Sequence, residues 1–470
     1  MGRELTDEER HEAQTMLRQA RVAMKTIEGF GQEKLDDLAR AVSWAIANEK
    51  TFVALTEMAV AESKMGNTDG GATRRFKIVG ILRDALRQKS VGVIEENAEK
   101  GIVKYAKPVG IIAGLLPVTN PVVTMVGMAI NAVKCRDAVI FSPHPASKAT
   151  ALEVARILRA ALHSVGAPED LVQCIIKPSI PLAQELMSIC DLAIATGGPA
   201  MVKSAYSSGK PAYGVGAGNA TVVVDETANI EEAARNTRIS KIHNNGSGCS
   251  CDGNLLVEET IYDRMLAQLQ EEGGYLANAA EKEKLRAVMW DGENHRTLDT
   301  VARSASVIAQ KAGLAFPAGK TFIIVEQDKI GKEHVFSGEK LSPVLAIFKY
   351  KSGFENALKM VEQIFEVGGK GHSCGIASYD DDHINQLAMM APVSRIMVRQ
   401  PNVSGNAGSF TNGMPMTPSL GCGTWGGNII SENITTKHYM NTTWVSRSIP
   451  EDKPTEAEVF GKYFNSPIFL

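Results

Sequence analysis

From Pro108 onward the 470-residue chain alternates short apolar runs with longer amphipathic stretches, and no other feature restricts its fold as strongly. The run "VGIIAGLLP" precedes "PVVTMVGMAINAVK", "AVIFS" precedes "SKATALEVARILRAALHSVG", "VQCIIK" precedes "IPLAQELMSI", and "DLAIAT" precedes "PAMVKSAYSSG", with "TVVVD" closing the series. Such alternation is the mark of right-handed β-α-β units and of a parallel sheet buried on both faces. A second series follows Cys249: "GNLLVEE", "TFIIVE", "SPVLAIFKY", "CGIASYD" and "SRIMVRQ", divided by helical segments such as "YDRMLAQLQEEG" and "FENALKMVEQIFE". Two α/β domains are expected, the second starting near residue 241. Parallel sheets bind ligands beyond the carboxyl ends of their strands, so the loops after these runs are where functional residues belong.

The segments ahead of the alternation read differently. "DEERHEAQTMLRQARVAMKTI", "QEKLDDLARAVSWAIANE" and "TRRFKIVGILRDALRQ" carry apolar residues at three- and four-residue spacing and predict helices. Residues 91–106 predict two short strands around a polar turn, and "ENITTKHYMNTTWVSRS" supplies strand material that can pair with them. Two short strands are not stable alone, so this element is expected to pack on another subunit. With 44% apolar and 22% charged residues and a net charge of −3, the chain has the composition of a globular protein without a basic field for nucleic acid or anionic membrane. The amino terminus lacks the apolar core of a leader peptide. The longest apolar stretch, "VGIIAGLLPVTNPVVTMVGMAI", is interrupted by Pro117, Asn120 and Pro121, so no membrane span is expected. Seven dispersed cysteines argue for free thiols in a reducing, cytoplasmic setting.

Several loops then stand out. "ATGGPAMVKSAY" runs from a strand through Thr196, Gly197 and Gly198 into a helix, which aims free N–H groups and the positive dipole end at a phosphate. "GVGAGN", Gly214 to Asn219, lacks the spacing of a dinucleotide fingerprint and leads into a strand, so a tight turn competes with a phosphate loop there. In "NNGSGCSCDG", Cys249 and Cys251 offer only two ligands with no His or Cys pair at metal spacing; no metal is expected, and the pattern is not a C-x-x-C redox pair. Two readings remain for the loop: a buried inert thiol or a nucleophile. Asn120 in "PVTNP", Glu339 in "GEKLSPV", His372 in "GGKGHSC" and the turn "GCGTWGGN" occupy comparable strand-to-loop positions.

Taken in order and spacing, "PVTNPVVT", "AVIFSPHPASK", "ATGGPAMVKSAYSSGKPAYGVGAGNATVVVDETANI", "NNGSGCSCDGNLLV", "EKLSPVLA", "GKGHSC" and "PSLGCGTWGGNIISENIT" resemble the aldehyde dehydrogenase superfamily, from about residue 35 to 450. The closest likeness is to its CoA-acylating branch, including the dehydrogenase half of bifunctional aldehyde-alcohol dehydrogenases. The resemblance implies a Rossmann-like nucleotide domain (1–90 and 107–240), an α/β catalytic domain (241–427), a bridging β oligomerisation element (91–106 and 428–450) and a tail (451–470). It implies Cys249 as nucleophile, with Asn120 and the Cys249 N–H holding the oxyanion, and His372 assisting deprotonation of a thiol. As an alternative, His372 bonds a backbone carbonyl. Thr119, Ser142, Pro143, His144, Thr196, Gly197, Gly198, Val215, Gly216 and Glu339 are implied in binding NAD or NADP. A homodimer or homotetramer is implied as well.

Two departures from the family pattern refine the expectation. Hydrolytic members carry a general-base Glu in a Glu-Leu-Gly-Gly-Lys type motif where this chain reads Gly214-Val215-Gly216-Ala217-Gly218, so the acyl group is expected to pass to coenzyme A and not to water. The family's Lys-Pro-Ser-Glu, which addresses the adenosine ribose, is replaced by Ser142-Pro143-His144-Pro145; without that Glu a 2'-phosphate is expected to meet no like charge, which admits both cofactors. Around the nucleophile, His243, Asn244 and Ser247 replace the Phe, Asp and Val of acetaldehyde enzymes. Loss of a negative charge and gain of hydrogen-bond donors suit a small anionic aldehyde, and the pattern resembles that of acylating sulfoacetaldehyde dehydrogenases. The competing expectations are an acylating acetaldehyde or propionaldehyde enzyme, a hydrolytic enzyme releasing free acid, and a silent scaffold of the same fold.

Overall fold

The computed structural model describes residues 3–69, 74–466 and 468. Parts of the expected helical front and of the tail, residues 1–2, 70–73, 467 and 469–470, lie outside the described residues. Within them, strands β1 (Gly92–Asn97) and β2 (Ile102–Pro108) pair antiparallel. The next five, β3 (Ile111–Leu115), β4 (Ala138–Ser142), β5 (Val172–Cys174), β6 (Leu192–Thr196) and β7 (Ala212–Val215), form a parallel sheet in the order β5-β4-β3-β6-β7. Then β8 (Thr221–Val224), β9 (Asn254–Glu258), β10 (Gly274–Leu276), β11 (Phe322–Gln327), β12 (Val344–Tyr350), β13 (Cys374–Ala377) and β14 (Ile396–Val398) form a second parallel sheet, ordered β10-β11-β12-β9-β8-β13-β14. Finally β15 (Met440–Ser446) returns to lie antiparallel beside β2.

The apolar runs become strands because both faces are covered: every residue of β3, β4 and β9 is buried. The helices Asp7–Thr26 and Gln32–Ala47 send Ala20, Leu35, Leu38, Val42 and Ile46 into the core that the first sheet shares. The helix Pro121–Lys134, which follows β3, is buried along its whole length. Its amino end, just beyond Asn120, therefore meets the carboxyl edge of the sheet at the place where the strand order reverses about β3.

One expectation is corrected. The alternation places "TVVVD" in the first series, with the second domain starting near residue 241, but β8 pairs with β9 and β13 in the second sheet. The helix Ile230–Ile242 goes with it, packing Ile230, Ala233 and Ala234 against Leu255, Val257 and Met265. Residues 216–220 thus carry the chain from one sheet to the other. An apolar run states that a strand is buried on both faces and leaves open which sheet buries it.

Candidate active site

The nucleophile candidate stands on a loop that reverses direction sharply. After the helix Ile230–Ile242, Asn244 (φ +48°) and Asn245 (φ +56°) occupy the left-handed region, which Asn tolerates better than most residues, and Gly246 (φ +66°) completes the turn. The Asn244 side chain holds this turn in place. Its oxygen accepts from Asn67 N at 3.0 Å and from an Arg74 guanidinium nitrogen, while its nitrogen donates to Ser247 Oγ at 2.8 Å and Thr119 O at 3.4 Å. From the other side, Gly218 lies so close that a Cβ added there would sit 1.8 Å from the Cys249 carbonyl oxygen. The glycine-rich link between the two sheets is therefore a packing surface for the nucleophile loop.

Cys249 Sγ lies 3.0 Å from His372 Nε2, and His372 Nδ1 lies 2.8 Å from Ser373 Oγ. The tautomer with Nδ1 protonated and bonded to Ser373 leaves Nε2 as the acceptor for the thiol proton. His372 is fully buried, and burial followed by the nearby Arg395 charge pushes it down to about 3, so it is a neutral imidazole at physiological pH. Burial also pushes the Cys249 thiol up to about 12, with Glu339, Cys422 and Cys251 adding to the rise and Arg395 opposing it. Thiol and imidazole thus rest as a neutral pair. The Arg395 guanidinium is held beside them by Gly421 O at 2.6 Å, His372 O at 3.1 Å and Asn433 Oδ1 at 3.1 Å. Cys251 is buried behind the loop, its thiol raised to about 12 by burial. Glu339 accepts from Gly218 N at 3.1 Å, and burial raises its carboxyl to about 7.

Asn120 faces the same space. It sits at the N-cap of the helix Pro121–Lys134 but makes no capping bond, and among the described residues its side-chain amide has no hydrogen-bond partner. The Cys249 N–H likewise donates to no acceptor among the described residues. Thr119, Asn120, His243, Asn244, Ser247 and Cys249 all line one cavity of about 340 Å³. Two unpaired donors converge with a thiol–imidazole pair in one cleft, the arrangement that nucleophilic attack on a carbonyl requires.

A profile of the aldehyde dehydrogenase family matches residues 3–291. The chain belongs to this family. Among its relatives, a sulfoacetaldehyde dehydrogenase of Acholeplasma sp is 41% identical over 452 residues, covering 95% of this chain and 93% of the relative. An acylating sulfoacetaldehyde dehydrogenase of Bilophila wadsworthia is 39% identical over 450 residues, covering 95% and 97%. The crystal structure of an acetylating aldehyde dehydrogenase from Geobacillus thermoglucosidasius superimposes with a TM-score of 0.91 at 35% identity, covering 96% of this chain and 100% of that one.

In this aldehyde dehydrogenase the residues expected to hold the nucleotide gather at the carboxyl edge of the first sheet: Thr119 beyond β3, Ser142, Pro143 and His144 at β4, Thr196, Gly197 and Gly198 at β6, and Val215 and Gly216 at β7. Thr196 Oγ1 lies 3.3 Å from Ser419 Oγ, which ties the β6 loop to the segment bordering the cavity beside Cys249. Gly216 borders a second cavity of about 550 Å³ with Lys203, Tyr206, Gly369, Lys370 and Trp425. At β4, His144 Nδ1 accepts from Ala146 N at 3.1 Å, and Glu62 accepts from Ala149 N and Thr150 N, both at 2.8 Å, at the start of the helix Lys148–Ser164.

Sequence reasoning missed a further part of the lining of the cavity beside Cys249, formed by Arg74, Phe76, Lys77, Phe410, Met416 and Leu420. Only the basic residues of "RRFK" gave a signal, and on a helix such residues usually face water.

Proposed function

We propose that the chain is a CoA-acylating aldehyde dehydrogenase that interconverts a small anionic aldehyde, sulfoacetaldehyde, and its CoA thioester with NAD or NADP. The observation that carries the acylating reading is at Gly214, the position of the hydrolytic family's general base. A Cβ there would meet Val202 Cγ1 at 2.5 Å and Tyr206 Cε2 at 2.8 Å, so the position has neither a carboxylate nor room for one. Glu339, which accepts from the Gly218 N–H, is assigned below to the ribose and not to activation of water. The names of the two relatives at 41% and 39% identity support the choice of aldehyde.

The steps follow from the residues. Cys249 Sγ attacks the carbonyl carbon as its proton passes to His372 Nε2, forming the C–S bond and an oxyanion held by the Asn120 amide and the Cys249 N–H. The nicotinamide cofactor, when bound, accepts the hydride that leaves this carbon. The acyl group is then a thioester on Cys249. The CoA thiol attacks this thioester and returns Cys249 as the leaving thiol, a thiol-for-thiol exchange close to neutral in energy that permits both directions. Thr196, Gly197, Gly198, Val215 and Gly216 would hold the nucleotide at the strand ends, and Glu339 its nicotinamide-side ribose. The sheet of β1, β2 and β15 exposes Tyr105, Trp444 and Val445, and we assign it to contact with a second copy in a dimer or tetramer.

The test is a two-stage assay. Sulfoacetaldehyde and NAD(P) without CoA should give a burst of NAD(P)H no larger than the enzyme concentration, and CoA should release steady turnover. Steady turnover without CoA would instead mean hydrolysis, and no burst would mean a silent scaffold. A higher kcat/KM for acetaldehyde or propionaldehyde than for sulfoacetaldehyde would overturn the choice of substrate.

A further inference from the structure

The cavity beside Cys249 carries two cations that the steps above leave unused. Arg74 and Lys77 are half-buried, and both line the cavity with Cys249. Their partners are neutral. Arg74 donates to the side-chain oxygen of Asn244 and, at 2.6 Å, to Asn67 O, while Lys77 Nζ donates to Ala407 O at 3.1 Å and to Gly408 O. Among the described residues neither forms an ion pair; Asp69 acts on Arg74 and Asp84 on Lys77 without a salt-bridge contact, and Asp84 is itself paired with Arg83 and accepts from Met416 N. Holding two positive charges partly out of water without an anion is costly, and Arg has five N–H donors and Lys three, so donors remain for a ligand. The contact between Arg74 and Asn244 gives the Asn a clear consequence. A carboxylate at 244 would pair with Arg74 and cancel its charge, whereas the amide fixes the guanidinium and leaves the charge available.

We propose that Arg74 and Lys77 form the anion subsite of the aldehyde pocket, seating the sulfonate of the substrate, and that Asn244 keeps this subsite positively charged. The assignment rests on the reading of the substrate given above and names the residues that recognise it. The lining around them is apolar at Phe76, Phe410, Met416 and Leu420 and carries only neutral hydroxyls at Ser404, Ser409 and Thr417, so the subsite supplies the pocket's strongest discrimination between charged and uncharged aldehydes.

The experiment measures kcat/KM for sulfoacetaldehyde and for propionaldehyde, each with CoA, in the wild type, Lys77→Met, Arg74→Gln and Asn244→Asp. The sulfoacetaldehyde-to-propionaldehyde ratio is expected to fall about 10- to 100-fold in each variant, the cost of losing or neutralising one charge-assisted hydrogen-bonding group, and Lys77→Arg should recover most of it. An unchanged ratio in Lys77→Met and Arg74→Gln overturns the subsite, because a structural role would lower both aldehydes alike. A second measurement separates this from failure of the substrate reading: competitive inhibition of propionaldehyde turnover by ethanesulfonate. Inhibition by ethanesulfonate that weakens in Lys77→Met supports the subsite even if propionaldehyde proves the better substrate. Absence of such inhibition in the wild type overturns it.

Discussion

On the thiol side of the proposed aldehyde pocket, Cys249 and His372 stand on loops that lead into β9 and β13 of the seven-stranded sheet; on its cationic side, Arg74 lies just ahead of, and Lys77 within, the helix Phe76–Leu86, which precedes every strand. The thiol end is withdrawn from water, and its titrating groups are driven toward their neutral forms, the imidazole down to about 3 and the thiol up to about 12. The far end keeps positive charge bonded only to carbonyl and amide oxygens. Where a reaction creates and removes charge, fixed donors around neutral reactants stabilise the charge as it develops. Where a ligand must be told from its neutral analogue, a standing charge is needed. The two ends are therefore expected to separate in mutagenesis: damage to the first lowers turnover of every aldehyde, and damage to the second changes the choice among them.

The largest effect belongs to the nucleophile. Cys249→Ala should abolish both the NAD(P)H burst and turnover, by about 10⁴-fold or more, equally for sulfoacetaldehyde and propionaldehyde. Cofactor absorbance in a stopped-flow assay, with the melting temperature as a control for folding, checks it. Activity surviving on one aldehyde only would mean that the chemistry and the selectivity are not separate. His372→Ala is expected to cost about 10²- to 10⁴-fold in the burst rate, again independent of the aldehyde. Because His372 is held near 3, the wild-type burst rate should show no limb from this imidazole between pH 5 and 8, and a midpoint near 6.5 that disappears in His372→Ala would contradict the geometry.

Gly218→Ala probes the same end without touching a reacting atom. Its new Cβ would overlap the Cys249 carbonyl oxygen, so the loop must shift, and a displacement of about 1 Å at the nucleophile is worth about 100-fold in rate. The burst rate should fall for both aldehydes with their ratio preserved.

How far the sequence revealed each end follows the same division. The thiol end is written in contiguous stretches: the strand ends, the glycines that let loops touch, and the Cys and His each fall within a few residues of a run whose period gives its structure. The cationic end has no such signature, because Arg74 reaches Asn244 across 170 positions of chain, and only tertiary packing makes "RRFK" part of a pocket. The place of β8 escapes the sequence for a related reason: a buried strand carries no mark of which sheet receives it. Asn244 was legible as a loss of negative charge, while its partner was not. The structure adds to the expected ligand contact a bond that holds Arg74, while Asn244 still lines the cavity.

The smallest expected effect comes from pH, and it bears on the cationic end alone. Burial lowers Lys77 to about 8 from the usual lysine value, with Asp84 opposing the shift. The titratable groups facing the cavity beside it are Arg74, which stays protonated, and His243, which burial lowers to about 4 and which is therefore neutral over this range. Lysine is cationic below its pKa, so the subsite carries its full charge at pH 7 and loses Lys77's share as pH rises through 8. The sulfoacetaldehyde-to-propionaldehyde ratio of kcat/KM should therefore decline by about tenfold between pH 7 and 9.5, the worth of one charge-assisted hydrogen bond. Taking the ratio cancels the titration of Cys249 and of the CoA thiol, which both aldehydes share. In Lys77→Arg the same ratio should stay level over this range, since a guanidinium does not titrate there. A decline of equal size in Lys77→Arg would move the pH dependence to another group and leave Arg74 as the sole charge in the subsite.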